Sequence, residues 1–182
     1  MAAGLELITS GSPTTIGRLM RTKKSLGQHW LTDNSALLAM CQAAQVGEGD
    51  TVLEIGPGQG SLTKQLLAHG AHVVAVELDS TLAAGLSKNL LHHISPFSKD
   101  WPWKRGLEVV EGDILKFDLT RLPAGYKVVA NIPYYLTGNL LKMLCESPNP
   151  PSVMALLVQK EVAQRLVAEP GQMSLLAVSV QL

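Results

Sequence analysis

An excess of either charge is missing from this chain: 15 Lys and Arg stand against 15 Asp and Glu among 182 residues, so the formal net charge is zero. That balance excludes a generally basic, histone-like nucleic-acid binder, and it excludes an acidic disordered chain. Charged residues are few as well, 16% against ~25% in an average soluble protein, while hydrophobic residues reach 46%. Such a composition belongs to a folded α/β protein with a buried core. Long apolar runs are also lacking, and none approaches the ~20 residues that a bilayer-crossing helix needs. One soluble unit is expected, since domains commonly take ~100–150 residues. No internal repeat at a fixed period and no low-complexity tract interrupts it.

Cysteine is scarce: Cys41 and Cys145 sit in apolar surroundings with no partner at metal or redox spacing, and both read as buried hydrophobes in a reducing compartment. His92 and His93 are adjacent but have no Cys or carboxylate at ligand spacing, so no metal is expected. Charge is nearly absent from Met1 to Gly17, where Glu6 stands alone among Gly, Ser, Thr and Pro. This stretch lacks the Arg-rich amphipathic pattern of an organelle presequence. Residues 1–20 are expected to be a flexible extension outside the fold, with the domain over 21–182.

What is present is an alternation of apolar runs and helical patterns. Asp33 or Asn34 caps a predicted helix over Ser35 to Gln45, which Gly47 and Gly49 break. Strands are predicted at Thr51 to Ile55, His72 to Val76, Leu107 to Val110, Lys127 to Ala130 and near Val153 to Val158. Helices are predicted over Ser61 to His69, from Ser80 or Thr81 to about Leu91, over Thr137 to Cys145, over Lys160 to Ala168 and from Ser174 onward. Unbroken apolar strands alternating with helices indicate a mostly parallel sheet covered on both faces. Such sheets bind ligands beyond the strand carboxyl ends.

At the end of the first of these strands lies Gly56-Pro57-Gly58-Gln59-Gly60, a tight turn where side chains would block a ligand lying on the backbone. Glu77 ends the next strand, where a carboxylate can accept both hydroxyls of a ribose. Asp113, in Glu111-Gly112-Asp113, can reach a base amino group in the same way. Two cofactors fit this skeleton, a dinucleotide or S-adenosylmethionine. The dinucleotide fingerprint wants G-x-G-x-x-G, whereas the spacing here is G-x-G-x-G with Pro57 inside and Glu54 just before. A carboxylate at Glu54 repels a phosphate but suits a ligand carrying an amino group and a sulfonium. The methyl donor is favoured over the dinucleotide, and both over a glycine turn kept only for strand-to-helix packing.

Asn131-Ile132-Pro133-Tyr134 follows the fourth strand directly. Methylating an exocyclic amine is difficult because its lone pair is delocalised into the ring. An Asn side-chain oxygen and a Pro-position backbone carbonyl, both accepting from the NH₂, favour a tetrahedral nitrogen whose lone pair faces the sulfonium methyl. Tyr134 offers a face for stacking a base taken out of its helix. The plain alternative is a strand end turned by Pro133 with two tyrosines against the core. The upstream glycine loop tips the reading toward catalysis.

Taken together, Arg21-Thr-Lys-Lys-Ser-Leu-Gly-Gln-His-Trp-Leu31, Glu54-Ile-Gly-Pro-Gly-Gln-Gly-Ser-Leu-Thr63, Ala75-Val-Glu-Leu-Asp79, Gly112-Asp113, Asn131-Ile-Pro-Tyr134 and Val158-Gln-Lys-Glu-Val-Ala-Gln-Arg165 resemble, in order, the motifs of the KsgA-type ribosomal RNA adenine dimethyltransferases. The resemblance implies a class I S-adenosylmethionine-dependent, Rossmann-like fold. It implies transfer of four methyls to N6 of two adjacent adenines near the 3′ end of small-subunit rRNA. His29, Leu31, Gly56, Glu77, Asp113 and Asn131 are implied as cofactor contacts, and Asn131, Pro133 and Tyr134 as the holders of the target adenine. A pre-30S-type particle is the implied partner, with no membrane, a monomer as the working unit, and the cytoplasm as the default compartment, mitochondrion or plastid being open.

Trp30 stands where this family more often has Phe, and His29 where Asn is usual; Gly171-Gln-Met-Ser174 matches its Gly-x-Leu-Ser only loosely. The family also continues past this length with two further strands, an aromatic-bearing loop and a small helical domain. The expectation is a chain whose donor site survives while its RNA grip is incomplete, with a fifth strand left as an open edge where Val153, Leu156 and Val158 are poorly covered. It would bind the cofactor yet methylate a small subunit poorly. Arg18, Arg21, Lys23 and Lys24 can meet RNA phosphates beside the site. Lys104 and Arg105, following Trp101 and Trp103, suit a second contact with unpaired bases, but the favoured reading has the tryptophans folding onto the helix around Leu90. Lys160 and Arg165 fit a phosphate contact or an ion pair equally. Two rival functions remain: a ribosome-assembly or organelle transcription factor of this fold without turnover, and an NAD-dependent oxidoreductase.

Overall fold

The computed structural model describes residues 4–9, 33–90 and 106–158. Six strands make one all-parallel sheet: β1 (Gly4–Thr9), β2 (Thr51–Ile55), β3 (His72–Glu77), β4 (Gly106–Glu111), β5 (Lys127–Asn131) and β6 (Val153–Val158), in the order β1-β6-β5-β2-β3-β4. Around it lie α1 (Asn34–Ala43), α2 (Ser61–Ala68), α3 (Ser80–Asn89) and α4 (Thr137–Cys145). β2 and β6 have the expected bounds, while β3, β4 and β5 run one residue further at their carboxyl ends, to Glu77, Glu111 and Asn131. The helices predicted beyond residue 159, the basic segment at Arg18 to Lys24, His92, His93 and the Trp101 to Arg105 stretch lie outside the described residues.

Strand side chains alternate between faces, and the two faces bury different partners. Val52, Val73, Ala75, Val129 and Ala155 pack against Leu37, Met40 and Cys41 of α1, Leu62 and Leu66 of α2, and Leu86 of α3. Leu53, Ile55, Val74, Val76, Val128, Ala130 and Leu156 face Leu140, Leu141 and Leu144 of α4, with Ile114, Leu119 and Tyr126. Burial on both faces is why β2 and β3 have no exposed position and read as continuous apolar runs. Cys41 lies fully buried as expected, whereas Cys145 is half-buried at the end of α4.

The amino-terminal stretch requires a correction. Gly4–Thr9, expected to be flexible, pairs in parallel with β6, Gly4 opposite Val153 and Thr9 opposite Val158. An uncovered β6 would present a row of unpaired N–H and C=O groups, and a six-residue segment is enough to satisfy them. The open edge expected at β6 is therefore closed: Leu156 is 0% exposed and Val158 4%.

At the amino end of the sheet, Lys127 Nζ donates to Asp50 Oδ2 at 2.8 Å and to the Gln45 carbonyl at 2.6 Å, tying β5 to the loop before β2. Between β2 and α2, Gly60 has φ +81°, and a Cβ there would lie 2.5 Å from Leu86 Cδ1 and 3.2 Å from Leu90 Cδ1. The glycine thus lets α2 approach α3 closely. Gly56, with φ +64°, has nothing within 4 Å of an added Cβ. Both alanine variants carry a left-handed penalty of ~1–2 kcal/mol, and Gly60→Ala adds a core collision. In urea melts Gly60→Ala is expected to lose about 2 kcal/mol more than Gly56→Ala; equal losses would contradict the close approach.

Candidate active site

All strands being parallel, their carboxyl ends meet along one edge. The register sets Ile55 opposite both Val76 and Ala130, so Gly56, Glu77 and Asn131 are each one step further along neighbouring strands. Gly56 N–H donates to the Val76 carbonyl at 2.9 Å, and Gly112 N–H donates to the Glu77 carbonyl at 2.8 Å, which carries Gly112 and Asp113 to the same edge. Four sequence-predicted cofactor positions are brought together: Gly56, Glu77, Asp113 and Asn131. His29 and Leu31 lie outside the described residues.

Glu77 is buried, and its carboxylate holds the loops on either side. Oε2 accepts from Gly58 N–H and Oε1 from Asp79 N–H, both at 3.0 Å. A carboxylate offers about four lone-pair sites, so two stay available for a ligand's adjacent hydroxyls. Asp113 uses Oδ1 to cap the 3-10 turn Ile114–Lys116, accepting from Leu115 N–H at 3.0 Å, and its Oδ2 is the atom suited to an amino group. At Gly56 the open space beside a left-handed backbone is a cradle that any side chain would fill.

Glu54 lies one residue before the end of β2 and is 1% exposed. Burial pushes its carboxyl up to about 8, Thr63 of α2 draws it part of the way back, and the charge of Glu77 adds to the rise. Thr63 is the third residue of α2, so an acidic group already stands at the helix end where a dinucleotide's pyrophosphate would sit. The carboxyl fills that position, and with Glu77 and Asp113 along the same edge the donor set suits a cationic ligand better than a phosphate.

Beyond β5, Pro133 starts a 3-10 turn over Tyr134–Leu136 that leads into α4. The Pro133 carbonyl accepts from Leu136 N–H at 3.0 Å and from the buried Thr137 hydroxyl at 3.5 Å. The same carbonyl, expected from the sequence to accept from the target amine, thus also closes the turn. Two apolar residues escaped the sequence reasoning. Leu78, just after Glu77, is 71% exposed, and Leu115, two residues after Asp113, is 37% exposed. They flank the carboxylates at the same edge, a setting suited to a flat heteroaromatic ring, and only their exposure sets them apart from core leucines. Among the described residues no group of three or more His, Cys, Asp or Glu is arranged to hold a metal. No helix there is long and apolar enough to cross a membrane.

The family described as ribosomal RNA adenine dimethylase matches residues 19–182. The ribosomal RNA small subunit methyltransferase A of Deinococcus radiodurans is 44% identical over 155 residues, which is 84% of this chain and 48% of that protein. A solved dimethyladenosine transferase from Plasmodium falciparum superposes with TM-score 0.65 at 30% identity, covering 84% of this chain and 52% of that one. The 23S rRNA methyltransferase ErmE superposes with TM-score 0.65 at 27% identity over 80% of this chain and 54% of that one. The chain spans about half the length of the curated relatives it matches.

Proposed function

The chain belongs to the ribosomal RNA adenine dimethylase family, and from that membership we propose that it dimethylates N6 of two adjacent adenines near the 3′ end of small-subunit rRNA, using S-adenosylmethionine. The observation that carries the reading is the alignment of Gly56, Glu77, Asp113 and Asn131 along one sheet edge, with a buried carboxyl behind the glycine turn in place of a phosphate site. When bound, S-adenosylmethionine supplies a methyl group on a positively charged sulfur, ready for transfer to an amine lone pair.

Each residue then has a task. Gly56 gives the ligand room against the backbone. Glu77 accepts the ribose hydroxyls, Asp113 accepts from the adenine amino group, and Leu78 and Leu115 cover the ring. Asn131 accepts from the substrate's N6 amine with its side-chain oxygen and so turns the nitrogen lone pair toward the reacting carbon. Pro133 fixes the turn that presents Asn131, and Tyr134 stacks on the extruded base. His29 and Leu31 complete the cofactor contacts from the amino-terminal side. The substrate is taken as a pre-30S-type particle in the cytoplasm, and the working unit as a monomer.

Two measurements test the proposal. Calorimetry should give heat with S-adenosylmethionine and none with NAD. Radiolabelled methyl transfer to undermethylated small subunits should fall ~100-fold or more in Asn131→Ala, the range seen when a single well-placed polar group is removed from a reacting centre. Transfer by Asn131→Ala equal to that of the parent would overturn the assignment. Cofactor binding without transfer by the parent would leave a binding protein of this fold.

A further inference from the structure

Four large apolar side chains are exposed among the described residues: Leu38, Leu78, Leu115 and Tyr135. The last three follow β3, β4 and β5 at the edge that holds the site. Leu78 and Leu115 lie beside carboxylates and are accounted for by the cofactor. Tyr135 is 69% exposed and has no part in that account. It sits in the 3-10 turn between Pro133 and α4, where Leu136 packs on the core and most of Tyr135 stays exposed.

Charge divides this edge. The ends of β3 and β4 and the turns after them carry Glu77, Asp79, Glu111 and Asp113, with Lys116 beyond them, whereas residues 131–137 carry no charge. A cation is drawn to the first half and a polyanion is repelled from it, since like charges at close range are costly. RNA reaching the Asn131 turn must therefore approach over the β5 side, where Tyr135 is the exposed ring. We infer that Tyr135 is a substrate-stacking residue, whose ring takes the base of a nucleotide flanking the target adenine and so holds the strand while the target is turned into the site. This inference rests on the proposed function and adds a second base contact to it. Aromatic stacking suits the task because every base has a π-face, so the contact tolerates sequence while fixing position.

The test uses the full chain and a hairpin RNA whose loop holds two adjacent adenines, with 2-aminopurine at the flanking position. Tyr135→Ala should weaken RNA binding ~10-fold, in line with the energy of one base–aromatic stack, and should abolish quenching of the 2-aminopurine. Tyr135→Phe should keep both, because the ring and not the hydroxyl makes the contact. Affinity for S-adenosylmethionine by calorimetry should be the same in all three proteins, which also verifies folding. RNA binding and quenching by Tyr135→Ala equal to the parent's would overturn this inference alone. Failure of the parent to bind the RNA at all would remove the proposed function and this inference with it.

Discussion

Glu77→Ala is expected to weaken S-adenosylmethionine binding by ~100-fold or more. Hydrogen bonds to a charged group contribute about 1.5–3 kcal/mol each, and two ribose hydroxyls on one carboxylate make a loss of ~3 kcal/mol a conservative figure. The side chain has a second task, since its oxygens hold Gly58 N–H and Asp79 N–H at 3.0 Å. Removing it frees the glycine turn and the entry to α3 together, so the ligand loses both its partner and its prepared surface. Glu77→Gln retains one acceptor oxygen and should lie between the two. Calorimetry at fixed ionic strength measures the series; a Glu77→Ala constant within threefold of the parent's would be incompatible with the ribose assignment.

The second large effect concerns stability and has a definite sign. The Glu54 carboxyl is pushed up to about 8 in the folded chain from 4.5, chiefly by burial. A raised carboxyl favours the folded state at low pH, where both states hold the proton. Above about pH 4.5 the unfolded chain ionises first, and stability falls by ~1.4 kcal/mol per pH unit until the folded group also ionises near pH 8. Glu54→Gln is neutral throughout and removes this slope. Denaturant unfolding should show parent and variant nearly equal at pH 4.5 and the variant roughly 3–5 kcal/mol more stable at pH 8. Equal stability at pH 8 would show that the carboxyl is not held neutral. Above about pH 8, where the folded carboxyl ionises, the same variant should bind the cationic donor more weakly than the parent.

Much of the sheet was legible because each strand is a short apolar run closed by a strong breaker. Thr51–Ile55 ends at a glycine cluster, and Lys127–Asn131 ends before Pro133. The placing of Glu77 and Asp113 at the carboxyl edge of the sheet was legible because each comes at or just after the end of an apolar run. Gly4–Thr9 was not, since its neighbours are turn formers and only the unpaired edge of β6, far away in the chain, gives it a reason to be extended. The turn at Pro133 was not legible for a related cause. The helix from Thr137 was visible, but the 3-10 turn before it, which brings Leu136 N–H and the Thr137 hydroxyl onto that oxygen, depends on three-dimensional closure. Leu78, Leu115 and Tyr135 are invisible as surface residues in the sequence, where an exposed leucine and a core leucine are the same letter.

The all-parallel sheet also dictates when the site can come into being. β2 has β3 on one side and β5 on the other, so Gly56 and Asn131 become neighbours only after the chain has passed through α2, β3, α3, β4 and two 3-10 turns. Contacts of such sequence separation form late, because the entropy of closing the intervening loop precedes any reward from pairing. The half of the site beside Glu77 matures with the local β2-α2-β3 unit, whereas the half at Asn131 waits for β5 to pair with β2. During synthesis, the edge at Gly56 and Glu77 is thus assembled before the edge at Asn131 can join it.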